Sequence, residues 1–305
     1  MNWTGKQTLP ERFFMFSCFS FISWGAILLN VSILYFSLKK NKIDGDFKYF
    51  IANLAFLNCL YSLSNVFQGM FFIFIHYDGI LCSAVAVLHF YIGDAIGVAL
   101  AAVTFNRYIA IVRPARYDRI FKSRPFCFLI CLLFDLFASA SSLISLPFAS
   151  YGRSRSSLYC WSYISHRGRK NQYLVAQTLC ALILIAPYLY VLVANLRIRE
   201  RLAKQMALSK SLAQKQALRR NQELVKASFF QAVVPFVLAV PVTITGVVSS
   251  YLVKSGTERP WWYAVVTQMV VMLFNSGPLI DALITYWVLG PYGRAIRACL
   301  PKRQS

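Results

Sequence analysis

ALAAVTFNRYIAIVRPARY, residues Ala99 to Tyr117, places a guanidinium at the end of a run that is apolar enough to lie in a lipid bilayer. An arginine in hydrocarbon is costly unless it lies near a helix end or faces the protein interior or water. The residue before Arg107 is Asn106, an amide where a carboxylate would neutralise the charge. The surroundings of Arg107 must therefore stabilise it.

The composition of the chain is typical of an integral membrane protein. Of its 305 residues, 58% are hydrophobic and 14% are charged. A spanning helix requires about 20 apolar residues, and the first apolar segment is too long for a cleavable signal peptide. The sequence predicts an all-α membrane protein, a seven-transmembrane helix bundle with a short amphipathic C-terminal helix, as one domain over residues 1–305. The predicted spans are Phe13–Leu38, Phe47–Ile75, Cys82–Val112, Phe126–Ser150, Gln172–Leu196, Ala227–Val253 and Trp262–Leu289.

The distribution of basic residues predicts the orientation. Lys and Arg are concentrated in the segments after the first, third, fifth and seventh spans, and cytoplasmic loops carry such an excess. We therefore expect a multi-pass plasma-membrane protein with an extracellular N-terminus and a cytoplasmic C-terminus. The formal net charge of +21 favours contact with the anionic inner leaflet over contact with nucleic acid, because membrane spans separate the basic loops.

The longest predicted inner loop, Arg197–Lys226, lacks Gly and Pro and is rich in Ala, Leu, Lys, Arg and Gln. These residues favour helix, so we expect the fifth and sixth helices to extend into the cytoplasm. The extension is either a solvated basic rod or a docking surface, and its charge alone favours the rod.

The eight cysteines divide by position along the chain. Cys82 and Cys160 map to the outer face, where a disulfide would persist in an oxidising environment. Cys299, after the last span, is a candidate for palmitoylation, and Asn2 begins an Asn-Trp-Thr glycosylation sequon. Five others lie within apolar spans, where a free thiol packs as a small hydrophobe: Cys18, Cys59, Cys127, Cys131 and Cys180.

About 37 Å of helix separates Cys82 from Arg107, which puts them at the outer and inner ends of the third span. Arg107 is the middle residue of the NRY at 106–108, and IAIVRPARY continues from it into the second inner loop. With the outer Cys, this order and spacing resembles the rhodopsin-like G-protein-coupled receptors, a family that usually has Asp-Arg-Tyr in place of NRY.

Further motifs extend the resemblance over most of the chain. Asn30, the NLAFLN of residues 53–58 and Pro187 are similar to the family's motifs in helices one, two and five. FFQAVVPFVLAVP, residues 229–241, and GPLIDALITYWVLGPYGRAI, residues 277–296, resemble the nematode serpentine chemoreceptors of the Str superfamily. The resemblance implies a receptor that transmits an extracellular small-molecule signal to a heterotrimeric G protein.

The resemblance also implies roles in G-protein coupling and activation for Asn106, Arg107 and Tyr108. The amide of Asn106 offers a weaker bond than a carboxylate, so we expect Arg107 to be loosely restrained. Glu223, just before helix six, is the acid that we expect to reach Arg107 when that helix is closed in.

On the outer side, the resemblance pairs Cys82 with Cys160 in a disulfide. His89 lies two turns after Cys82, where amine receptors carry a ligand-pairing Asp, so a monoamine is disfavoured. An imidazole suits a small polar or weakly acidic ligand, but it equally suits packing against a neighbouring helix, and both alternatives stay open. Asp94, a little deeper, is either a packing residue or a polar contact. Further ligand-binding candidates lie in the outer halves of helices five and seven: Gln177, Gln268 and Asn275.

A carboxylate lies in the middle of the seventh span. Asp281 stands where the family more often has Asn, whereas Asn58 stands where it usually has Asp. An intramembrane carboxylate must be neutralised, hydrogen-bonded or ion-paired. We expect Asn30, Asn58 and Asp281 to form a midplane polar cluster, which is a clamp between helices or a cation site, with the clamp favoured.

Other functions fit the sequence less well. A membrane transporter or channel is the main alternative, but the halves of the chain show no inverted repeat and no paired broken helices. No metal-spaced His/Cys set, nucleophile elbow or phosphate loop indicates an enzyme or a cofactor. A retinal-binding photoreceptor requires a Lys in helix seven, and Trp262–Leu289 contains none.

Overall fold

The structure is a computed structural model that describes residues 9–39, 43, 46–73, 80–121, 124–145, 150–153, 160–163, 170–209, 211–255 and 261–299. Within those residues the chain forms ten helices and one β-hairpin. The helices are α1 (Leu9–Leu38), α2 (Phe47–Ile73), α3 (Ile80–Val112), α4 (Pro114–Ile120), α5 (Arg124–Ser145), α6 (Lys170–Leu208), α7 (Leu212–Ser255), α8 (Trp261–Asn275), α9 (Gly277–Val288) and α10 (Gly290–Cys299). The strands are β1 (Ser150–Arg153) and β2 (Cys160–Tyr163).

The helices pack around α3, which contacts α2, α5, α6 and α7. In the described part of the chain, α1, α2 and α3 each carry a stretch long and apolar enough to cross a bilayer, and α8 with α9 form a fourth. Small residues from Ala95 to Ala102 are buried in α3, which lets neighbouring helices approach closely. At Gly97 a Cβ would lie 3.0 Å from the Tyr188 ring of α6, so this contact depends on glycine.

The predicted helical extensions of the fifth and sixth spans are confirmed. α6 continues to Leu208 and α7 begins at Leu212. The two extensions are joined where the Gln222 amide donates to Met206 Sδ at 2.8 Å. Three prolines lie inside these helices, where each lacks a backbone donor: Pro187, Pro235 and Pro241.

The seventh predicted span is not one continuous helix. Trp262–Leu289 is divided at Ser276 into α8 and α9, which meet at a bend of 42°. Gly277 and Pro278 begin α9, and a proline at the start of a helix is favoured because its missing N–H would have no partner there. The Asn30 amide of α1 donates to the Pro278 carbonyl oxygen in the first turn of α9 at 3.1 Å.

The short C-terminal helix predicted from the sequence is α10. Its Tyr292 is fully buried, and the Tyr292 hydroxyl lies 2.6 Å from Ser37 Oγ of α1. Burial raises the pKa of the Tyr292 hydroxyl. A Cβ at Gly293 would lie 2.8 Å from the Tyr286 carbonyl oxygen. The glycine therefore permits the tight turn of α10 against the end of α9.

The hairpin is an addition to the predicted all-α fold. β1 and β2 pair antiparallel, with Tyr151 opposite Ser162 and Arg153 opposite Cys160. Both strands contact α3. Each strand has only four residues, too few for a periodic pattern to distinguish it from loop.

Candidate functional site

Three polar residues predicted to form a cluster come together between α1, α2 and α9. The Asn30 amide donates to the Pro278 carbonyl and, at 2.9 Å, to the Ala26 carbonyl. Asn58 donates to Asn30 Oδ1 at 3.5 Å, and its side chain lies beside the Asp281 carboxyl. The side chains of Asn30, Asn58 and Asp281 are all buried. The structure thus brings the predicted midplane residues together.

Gln231 of α7 extends this midplane cluster to a further helix. Its Nε2 donates to Thr285 Oγ1 at 2.9 Å and to the Asp281 carbonyl oxygen at 3.3 Å. The signal in the sequence was a single amide in an otherwise apolar stretch of helix six. Three side-chain oxygens of the cluster have no hydrogen-bond partner among the described residues: Asn58 Oδ1, Gln231 Oε1 and Asp281 Oδ1. Unpaired oxygens suit a hydrogen-bond donor or a small cation rather than an anion.

His89 faces α2 in the outer half of the bundle. Its Nδ1 lies 2.9 Å from Ser64 Oγ, and the imidazole packs on the Tyr61 ring with centroids 4.3 Å apart. These contacts support the alternative in which a neighbouring helix satisfies the imidazole. Its Nε2, however, is buried without a hydrogen-bond partner in the described part of the chain. One ring nitrogen is therefore able to form a further hydrogen bond.

A polar face on α2 was missed by the sequence analysis. Tyr61, Ser64, Asn65 and Gln68 are buried, and their spacing puts them on one side of a helix. The Tyr61 hydroxyl donates to Asn275 Oδ1 of α8 at 3.0 Å, and the Asn65 amide donates to the Asn275 carbonyl at 3.4 Å. Asn65 Oδ1 and Gln68 Nε2 find no partner among the described residues. Four polar residues at helical spacing in an apolar span were the signal that could have revealed this face.

The remaining candidates are less closely connected. Gln268 is half-buried in α8, whereas the side chain of Gln177 in α6 lies outside the described part. Asp94 is half-buried in α3 and already engages a neighbouring group. Asp135 of α5 accepts a hydrogen bond from Asn53 Nδ2 at 3.3 Å. No group of three or more His, Cys, Asp or Glu residues within the described ranges could hold a metal ion.

Arg107 is buried at the inner end of α3, with 7% of its surface exposed. Its guanidinium carbon lies 4.3 Å from the centroid of the Phe47 ring, at the first residue of α2. Asp46, Tyr117 and Tyr292 provide the electrostatic surroundings of the cation. Among the residues that the structure describes, Arg107 Nε and Nη2 find no hydrogen-bond acceptor. An aromatic face and a nearby carboxylate therefore stabilise the guanidinium.

The neighbours of Arg107 in the NRY motif occupy different environments. Asn106 is fully buried and faces Tyr117 of α4, but neither amide atom makes a well-formed hydrogen bond to a described residue. Burial raises the pKa of the Tyr117 hydroxyl, so it stays protonated near neutral pH. Tyr108 is half-buried against an apolar cluster at the inner ends of α3, α6 and α7, formed by Ile111, Ile198, Leu202, Leu218 and Val225.

The predicted ion pair between Glu223 and Arg107 is wrong for this conformation. Glu223 is exposed, and its carboxylate lies at the start of α10. A Cβ at Gly290 would lie 3.3 Å from Glu223 Oε2 and 3.4 Å from Arg294 Nη1. The Glu223 carboxylate therefore lies beside the first residue of α10. Asp46 is the carboxylate in the surroundings of Arg107.

The cysteines follow the predicted division where the structure describes them. Cys82 is fully buried at the start of α3 and is disulfide-bonded. Its expected partner, Cys160, begins β2, but the Cys160 side chain lies outside the described part, so this pairing stays a prediction. Asn2 and the side chain of Cys299 also lie outside it. Four cysteines of the predicted spans are free thiols: Cys18, Cys59, Cys127 and Cys131.

Comparisons with known proteins agree with this architecture. The family described as "7 transmembrane receptor (rhodopsin family)" matches residues 29–285. Among solved structures, squid rhodopsin is similar with a TM-score of 0.72 and 15% sequence identity, covering 96% of this chain and 86% of that one. No curated protein matches the chain at a significant level.

The chain belongs to the rhodopsin family of seven-transmembrane receptors. Its seven spans are α1, α2, α3, α5, α6, α7 and the bent pair α8–α9. It is a multi-pass plasma-membrane protein and a receptor rather than an enzyme.

Proposed function

We propose that this protein is a chemosensory receptor that binds a small molecule on its outer side and activates a heterotrimeric G protein on its inner side. In this proposal the N-terminus is extracellular, the C-terminus is cytoplasmic, and the receptor is of the nematode serpentine Str type. The observation that carries the proposal is the presence of two polar sites on α3, His89 in the outer half and Arg107 at the inner end. About 27 Å of helix separates these two residues.

The outer site is a polar corner between α2, α3 and α8, formed by Tyr61, Ser64, Asn65, Gln68, His89 and Asn275. Its side chains are amides, hydroxyls and an imidazole, and the atoms without partners in the described structure include both donors and acceptors. Buried polar atoms without partners cost free energy that a matching ligand recovers. The ligand is therefore an uncharged or weakly acidic small molecule that carries both a hydrogen-bond donor and an acceptor.

The polar corner is connected to the midplane cluster through the break in the seventh span. Asn275 is the last residue of α8 and holds both Tyr61 and Asn65 of α2. Asp281 lies about one helical turn beyond the break at Ser276, in α9. A ligand that binds differently to two arrangements of the bend shifts their populations. The bend between α8 and α9 is thus the element through which the ligand acts.

The inner site provides the surface for the G protein. Arg107 and Tyr108 lie at the inner end of α3, and the extensions of α6 and α7 continue beyond it. Many exposed Lys and Arg residues line these extensions. In this proposal the extensions of α6 and α7 are a docking surface for the G protein, in addition to contacting anionic lipid.

Replacing His89 by Leu is expected to reduce agonist potency by about tenfold or more, because one hydrogen bond to a buried imidazole is lost. The agonist is first found by measuring G-protein dissociation in cells exposed to a panel of volatile and water-soluble metabolites. Ser64→Ala, which removes the partner of His89 Nδ1, is expected to give a smaller reduction.

Ser62→Ala is the matched control, since the Ser62 hydroxyl on the same helix donates only to the Asn58 carbonyl at 2.7 Å. It is expected to leave the potency unchanged. If His89→Leu has normal potency at equal surface expression, His89 is a packing residue and the polar corner is not the ligand site.

A further inference from the structure

We propose that the start of α2, formed by Asp46 and Phe47, is the element that restrains Arg107 and so positions it for G-protein coupling. The inference rests on the proposed coupling function of Arg107. It assigns a positioning role to two residues at the junction of the first inner connection and α2, which the motifs in α3 and α7 do not include.

The contact with Phe47 is a stacked cation–π arrangement. The guanidinium carbon is 4.3 Å from the ring centroid, within the distance at which a cation is attracted by an aromatic face. Phe47 is 9% exposed and Arg107 is 7% exposed. Such a contact is stronger when both groups are removed from water, so this pair is more than an incidental surface contact.

The carboxylate of Asp46 provides the negative charge that Asn106 lacks. Asp46 attracts the Arg107 cation and immediately precedes the first residue of α2. The Asp46 carbonyl accepts from the Tyr49 amide at 3.1 Å, so the backbone at this position is fixed by the first turn of the helix. An aspartate is favoured at this place because its carboxylate complements the helix N-terminus.

The remaining groups around the Arg107 guanidinium do not hold it by a charged pair. Among the described residues, Tyr117 of α4 and Tyr292 of α10 are the other titratable side chains that face it, and both are neutral near physiological pH. In the described structure Arg107 Nε and Nη2 have no acceptor, so no bidentate carboxylate pair fixes the guanidinium. Release of Arg107 therefore requires only that the inner end of α3 part from the start of α2.

The proposal is tested on the purified full-length receptor in lipid nanodiscs. Spin labels at the exposed position Arg113 and at Lys48, in the first turn of α2, report the distance between the inner ends of α3 and α2 without any ligand or G protein. Phe47→Leu and Asp46→Asn are expected to raise the population of the longer distance by about three- to tenfold, because each removes one attraction on Arg107. Phe47→Tyr and Asp46→Glu retain the ring face and the charge, and are expected to stay within about twofold of the wild type.

Each substitution is repeated in an Arg107→Met background. If Asp46 and Phe47 act through Arg107, neither change moves the distance distribution further in that background. Unchanged distances for Asp46→Asn in the wild-type background, or equal shifts with and without Arg107, would overturn the proposal. Asp46 is only half-buried, so this variant keeps the fold even if Phe47→Leu does not.

The distance measurement is separate from the coupling function. Basal nucleotide exchange is measured on the same variants with purified heterotrimers. A shift in distance without a rise in exchange supports the restraint and contradicts coupling through Arg107. Glu223→Gln is expected to leave the distance distribution and the basal nucleotide exchange unchanged. If Glu223→Gln raises them as much as Asp46→Asn does, Glu223 also restrains Arg107 and the role is not specific to Asp46.

Discussion

Replacing Cys82 with Ser is expected to remove most of the receptor from the cell surface, and Cys160→Ser is expected to do the same. Loss of a native disulfide typically costs about 2–5 kcal/mol of stability. Cys82 is disulfide-bonded and fully buried at the outer start of α3, and β2, which Cys160 begins, contacts that helix. A bridge between them would hold the hairpin over the outer end of the bundle. The double variant is therefore expected to lose no more than either single variant.

Surface expression is measured by labelling intact cells, and the free thiols of surface receptor are mapped by mass spectrometry. Cys59→Ser is the matched control because Cys59 is a free thiol on a neighbouring helix. It is expected to express normally. A free thiol at Cys160 in wild-type surface receptor, or additive losses in the double variant, would show that Cys82 pairs elsewhere.

The second large effect is expected from Asp281→Leu. This change replaces the carboxyl beside the Asn58 amide with an apolar side chain, in a cluster where all side chains are buried. A buried polar group without a partner costs about 1–3 kcal/mol, so the variant is expected to unfold more readily and to reach the surface poorly. Asp281→Asn keeps an acceptor of the same size and is expected to retain most of the stability.

Thermal unfolding of the purified receptor in nanodiscs provides the comparison. Gln231→Leu serves as a further control, because Gln231 bonds the Asp281 carbonyl and Thr285 but not the carboxyl. It is expected to lower the stability less than Asp281→Leu. Equal stability of Asp281→Leu and the wild type would mean that the carboxyl is not part of a clamp. A sodium-dependent stability that disappears in Asp281→Asn would favour the cation alternative.

Much of the fold was predictable because the bilayer imposes a simple physical constraint. A span must be about 20 apolar residues long and must satisfy its own backbone, so the seven segments were visible in the sequence. The helical extension between Arg197 and Lys226 followed from residue propensity alone. The break at Ser276 was not predicted, because Gly277 and Pro278 lie within an uninterrupted apolar run. Hydropathy does not show where the axis of a helix bends.

The site was predictable where a polar residue is isolated in an apolar span. Asn30, Asn58 and Asp281 each stand out in this way, and the structure places them in contact. The polar face of α2 was overlooked because its four members are interspersed with apolar residues. Only the helical period shows that they share one side.

The surroundings of Arg107 show a different limit of sequence reasoning. Glu223 lies just before helix six in the sequence, but the path of α7 takes its carboxylate towards Gly290. Asp46 lies in a short connection and Phe47 begins α2, and neither belongs to a motif. Their proximity to Arg107 depends on how α2 packs against α3, which local sequence patterns do not specify.

Nucleotide exchange on purified heterotrimeric G proteins by the receptor in nanodiscs is the measurement that most directly decides whether this chain couples an outer ligand to an inner G protein. The wild type is compared with Arg107→Ala, with and without the metabolites that act in cells. At least one heterotrimer is expected to release GDP about tenfold faster with the wild type than with Arg107→Ala, because only the wild type presents the guanidinium at the inner end of α3. Equal rates for both proteins with every heterotrimer, in the presence of every metabolite, would contradict the proposed function.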